Sequence, residues 1–97
     1  MIRHMVVFKL RRDCGAAAEA DFFAAAQALA RIEGVRELAC FRQISPKCRF
    51  QHGITMKFDD ADAYRRYCEH PEHVSFVEER WKVAVDEFME IDLALRS

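Results

Sequence analysis

The chain is poor in the residues that punctuate or cross-link structure, with three glycines, two prolines and four cysteines among 97 residues. That scarcity excludes a collagen-like or low-complexity chain. Cys14, Cys40, Cys48 and Cys68 form no C-x-x-C pair and no regular framework, so neither a zinc module nor a disulfide scaffold is expected. No apolar run approaches the ~20 residues of a membrane span, and Met1 to Leu10 carries its charges inside an alternating pattern, unlike a signal peptide. An excess of one charge is also lacking. Fifteen basic against sixteen acidic residues leave a formal charge of -1, with no field to draw in nucleic acid or an anionic membrane. The expectation is a cytoplasmic protein with reduced thiols, no nucleic-acid partner and no membrane partner.

What is present is a large apolar fraction, 52% of the residues, beside 32% charged ones, which excludes disorder. The length allows a single domain, residues 1–97, and a chain this short gains from burial by a partner. Ile2 to Leu10 alternates as a strand does. The Ala-rich stretch from about Ala17 to Glu33 places Phe22, Ala26, Leu29 and Ala30 at helical spacing, and Gly34 stands where a helix would stop. Strands are expected again over Val35 to Ile44 and Arg49 to Phe58, separated by Ser45-Pro46-Lys47.

Asp59 and Asp60 are candidate caps for a helix from Ala61 to about Glu69, and Pro71 opens another. Val74, Val77, Trp81, Val85 and Phe88 read as one apolar stripe on that second helix, with a last strand from about Met89 to Leu95. The order βαββαβ is that of an α+β, ferredoxin-like fold: a four-stranded antiparallel sheet with helices on one face. Met5, Val7, Leu38, Cys40, Ile91, Leu93 and Leu95 are assigned to the other face, too apolar a set to leave in water, so a homodimer is expected.

The histidines carry the chemistry. His70 caps the helix that begins at Pro71, and His73 falls in its first turn, where the positive end of the dipole disfavours imidazolium and leaves a neutral base. Tyr67 is placed to donate a hydrogen bond to a carbonyl or an enolate. His4 and His52 are in phase with apolar neighbours on strands one and three, so both are expected to face the helices and to position a substrate beside Tyr67 and His73. Asp92 is expected to orient His73 by accepting its other ring proton. No metal is expected, because no histidine pair stands at i, i+4 with a carboxylate, and no cofactor is expected. Strand three lacks the stacking aromatics of an RNA-recognition module.

The opening Ile2-Arg-His-Met-Val-Val-Phe-Lys-Leu10, the Ile32-Glu-Gly-Val-Arg36 turn, His52-Gly-Ile-Thr-Met-Lys-Phe58 and His70-Pro-Glu-His-Val-Ser-Phe76 resemble the stress-responsive dimeric α/β-barrel (Dabb) family. The resemblance implies the ferredoxin-like fold and a dimer whose two sheets pack face to face into a barrel. One plant member of that family is a polyketide cyclase working by cofactor-independent aldol closure. The resemblance carries its catalytic tyrosine to Tyr67, its catalytic histidine to His73 and its pocket histidines to His4 and His52. Three functions stand open: a small-molecule-binding homodimer catalysing cofactor-free cyclisation or aldol-type proton transfer, a non-catalytic stress-response or interaction protein, and a cofactor-free monooxygenase.

Overall fold

The computed structural model describes residues 1–96. The elements run β1 (Ile2–Leu10), α1 (Ala16–Ala28), β2 (Arg36–Arg42), β3 (His52–Phe58), α2 (Ala61–Glu69), α3 (Pro71–Phe76) and β4 (Val85–Ala94). A 3-10 turn (Leu29–Arg31) follows α1, and α3 continues through a π-helical turn (Val77–Trp81) into a last turn (Lys82–Ala84). The sheet order is β2-β3-β1-β4 with every pair antiparallel, and the helices lie on one face: the ferredoxin-like βαββαβ arrangement.

Local chemistry explains the boundaries. Gly34 takes φ +94 after the 3-10 turn, a left-handed position that a side chain resists. Asp60 caps α2 by accepting from the Ala63 amide at 2.8 Å, and the His70 ring accepts from the Glu72 amide at 3.1 Å to start α3 beside Pro71. The core lies between the helices and the inward sheet face, where Val6, Phe8, Ile54, Met56 and Phe58 meet Phe22, Ala26, Leu29 and Phe76. Phe8, fully buried, packs on Phe22 and Trp81 with ring centroids 5.6 and 5.0 Å apart.

Two sequence expectations are corrected. The apolar stripe from Val74 does not continue on one helix to Phe88. The chain widens into the π turn, which brings Val77 and Trp81 to one side, and Val85 already begins β4, held by register to Leu10. Leu38 and Cys40 are not on the outer face. They pack against the core on the helix side, and Ala39 and Phe41 face outward, opposite Thr55 and Gly53. Both sides of β2 carry apolar residues, so alternation alone does not choose its face. A bulge between Arg36 and Ala39, with Glu37 at φ 51, sets the register. Met5, Val7, Met89, Ile91 and Leu93 lie on the outward face with Phe41; Leu95 lies past the end of β4 and is exposed. Among the described residues no helix is long and apolar enough to cross a membrane.

Candidate functional site

β1 and β4 run side by side with His4 opposite Asp92, and the inward alternation of β4 continues through Glu90 to Phe88. Over this edge of the sheet lie α2, α3 and the π turn. The space left between them is a cavity of about 270 Å³ lined on its apolar walls by Met56, Phe76, Val77, Trp81 and Phe88. His4, Tyr67, His73 and Glu90 supply its polar lining, and Lys82 stands on the same wall as Trp81. A larger open groove of about 370 Å³ between α1 and α3 contains none of His4, His52, Tyr67, His73 and Asp92.

His4 is the most constrained of the polar groups. It is a buried histidine, and its Nδ1 donates to Asp92 Oδ1 at 2.6 Å. The Tyr64 hydroxyl lies 3.0 Å from the same nitrogen and donates to the Asp92 carboxylate, 3.1 Å from each oxygen. The Tyr64 ring also packs on His4, centroids 5.1 Å apart, and stacks on Phe58. Burial and the Asp92 hydrogen bond push the Tyr64 hydroxyl's pKa well above its usual value, so it stays a donor. With Nδ1 occupied, Nε2 is the nitrogen left for the cavity.

Tyr67 is buried on the inward side of α2, and its ring lies 4.3 Å from that of His73. Burial raises its pKa strongly, which keeps the phenol protonated. His73 donates from Nδ1 to the Cys68 carbonyl at 3.1 Å, which fixes its tautomer and leaves Nε2 bare. Burial lowers the His73 pKa, opposed by that carbonyl, so the ring is neutral near pH 7. The sequence named the helix dipole as the cause; burial is the leading one.

Among the described residues, no buried side-chain nitrogen or oxygen without solvent access lacks a hydrogen-bond partner. The hydroxyl of Tyr67 and Nε2 of His4 have no protein partner there, so both open onto accessible space, which for these buried residues is the cavity.

The sequence placed five residues at the site, and the structure brings four of them together. His4, Tyr67 and His73 line the cavity, and Asp92 touches it through His4. Asp92 does not orient His73: strand pairing sets the carboxylate against His4, and His73 is held by backbone instead. His52 faces the helices but stands opposite Phe8, at the far end of the sheet, packed on Phe8 and Phe23 and 3.8 Å from Glu19. Two strand positions, roughly 7 Å, separate it from Ile54, the nearest residue of β3 in the cavity wall. His70 is the α3 cap. Sequence reasoning missed Tyr64 and Glu90. Tyr64 stands one helical turn before Tyr67, and Glu90 two strand positions before Asp92, which are the spacings that put each pair on one face. Among the described residues no three His, Cys, Asp or Glu side chains form a metal-binding cluster.

Residues 2–95 match the sequence model of the Stress responsive A/B Barrel Domain, Dabb. The chain is 38% identical over 78 residues to an uncharacterized protein of Streptomyces coelicolor, covering 75% of this chain and 79% of that one. A Dabb family protein with a ferredoxin-like fold from Mesorhizobium loti superposes with a TM-score of 0.94 at 42% identity, over 99% of this chain and 97% of the other. A dimeric protein of unknown function with a ferredoxin-like fold from Bacteroides fragilis does so at 0.76 and 24% identity, over 97% and 95%.

Proposed function

Because the chain belongs to the stress responsive A/B barrel family, whose fold alone names no reaction, we propose from the chemistry of the cavity that it is a homodimer catalysing cofactor-free proton transfer on a small carbonyl compound. The observation that carries this reading is the cavity's division. Beside its aromatic and aliphatic walls stand Tyr67 Oη and His4 Nε2, without a protein partner among the described residues, with the bare Nε2 of His73 and the Glu90 carboxylate on the same lining. A flat, largely apolar molecule with one carbonyl fits that division.

In this reading Tyr67 donates to the carbonyl oxygen while an imidazole takes a proton from the adjacent carbon. The C–H electron pair becomes the enolate, whose oxygen accepts a stronger hydrogen bond from Tyr67 than the ketone did. The enolate then attacks a second carbonyl, as in aldol closure, or is reprotonated. The homodimer is supported by the outward face, where Phe41, Met89 and Leu93 are each about half exposed, and by the dimeric relative.

The test is proton exchange on 2-tetralone, a flat bicyclic ketone, followed by NMR in deuterated water. The protein should accelerate exchange, and Tyr67→Phe should lower the rate about 100-fold. Tetralone that binds in the cavity yet exchanges no faster than in buffer would favour the non-catalytic interaction protein.

A further inference from the structure

We infer that His4 is the catalytic base of this cavity and that Asp92, held in turn by Tyr64, is its positioning residue. The inference rests on reading the cavity as a proton-transfer site and assigns the proton to one of its two imidazoles.

His4 and Asp92 are direct partners across β1 and β4, so the pleat puts both side chains on the same face, side by side. The 2.6 Å contact is therefore set by paired backbone rather than by a loop. It fixes the ring as the Nδ1–H tautomer with Nε2 bare, and the Tyr64 hydroxyl, 3.0 Å from that Nδ1, donates to the same carboxylate. A base must also hold what it takes. When Nε2 accepts a proton, the new imidazolium lies against a carboxylate already in place and pays no reorganisation to meet it.

His73 lacks that arrangement. Its Nδ1 meets a backbone carbonyl, and the groups around its ring are Tyr67, His70, His4 and Glu90, none of which makes a charge-assisted bond to it. Facing His4 are Asp92 and Tyr64 on the Nδ1 side and Tyr67, His73 and Glu90 around the cavity. The geometry thus divides the labour: His4 takes the proton, Tyr67 holds the oxygen, and His73 contacts the ligand as a neutral ring.

The test uses 5-nitrobenzisoxazole, a flat probe that needs a single base. Nε2 removes the C3 proton, the C–H electrons form the nitrile, the N–O bond breaks to give 2-cyano-4-nitrophenolate, and the imidazolium returns its proton to water. His4→Gln should lower kcat 100-fold or more, and the isosteric Asp92→Asn at least tenfold with KM within about twofold, whereas His73→Gln should act mainly on KM. Long-range nitrogen NMR of the wild type should show His4 protonated at Nδ1 and bare at Nε2. An Nε2–H tautomer would overturn the assignment. So would a kcat that survives in both His4→Gln and Asp92→Asn but collapses in His73→Gln, a result that leaves the proton-transfer reading standing. If millimolar probe moves no cavity resonance, the reading of the cavity fails and takes this assignment with it.

Discussion

Replacing Ile91 with lysine asks whether the outward face of the sheet is the dimer interface. Ile91 stands on β4 opposite Met5, in the middle of a surface that also carries Val7, Phe41, Met89 and Leu93. Burying one such side chain contributes about 1.5–3 kcal/mol. A twofold interface counts every substitution twice, so the lost burial alone is about 3–6 kcal/mol, and two desolvated ammonium groups add to it. At 1.4 kcal/mol per tenfold, dissociation should strengthen at least 100-fold, enough to turn a dimer with a Kd of about 10 nM into one that falls apart near micromolar concentration. Sedimentation velocity across a dilution series reads this directly. Val83→Lys, at an exposed site on the helical side, serves as the control and should leave the dimer intact. An Ile91→Lys protein as dimeric as the wild type would refute the assignment of that face.

The same logic separates the two sides of β2. Phe41→Lys should dissociate the dimer, whereas Leu38→Lys, which loads the core side, should lower stability by about 2 kcal/mol and Tm by roughly 10 °C at fixed protein concentration. Tyr67→Phe should cost under about 1 kcal/mol, because its hydroxyl has no protein partner, while Tyr64→Phe should cost about 1–2 kcal/mol through the Asp92 bond; thermal melts of both check the contrast. Burial lowers the pKa of both His73 and His52, so the unfolded chain binds protons first as pH falls below the ordinary histidine value of about 6.5. Stability is therefore full above that pH and lost as pH falls through the lower folded values. Tm should drop between pH 7 and 5, and His73→Gln should flatten the drop; an unchanged slope in that variant would show that His73 does not contribute.

How much of this was legible in the sequence depends on whether the determinant was local. β1 and α2 have the boundaries that alternation and capping imply, Ile2–Leu10 and Ala61–Glu69, because an apolar period and an Asp cap are written within a few residues. The convergence of His4, Tyr67 and His73 was also within reach, since each lies on an inward face. The partner of Asp92 was not. Whether it meets His4 or His73 is decided by the register between β1 and β4, residues 88 apart in sequence. His52 shows the same limit: its face follows from alternation, but its distance from the cavity follows from being paired with Phe8 rather than with His4. The spacing after Pro71 implies too long a helix because Val85 and Phe88 keep a helical period, whereas a register shift between β1 and β4 lets both stand on the strand opposite Leu10 and Phe8.

One cavity gathers His4 and His73 and excludes His52 and His70. The measurement that tests this most directly is imidazole and indole NMR of the wild-type protein titrated with 4-nitrophenol, a flat aromatic whose oxyanion resembles an enolate. The resonances of His4, His73 and the Trp81 indole should move together along one binding curve, with those of His52 and His70 unmoved. Shifts confined to His52 or His70, or a His4 signal that stays fixed while His73 moves, would contradict the site.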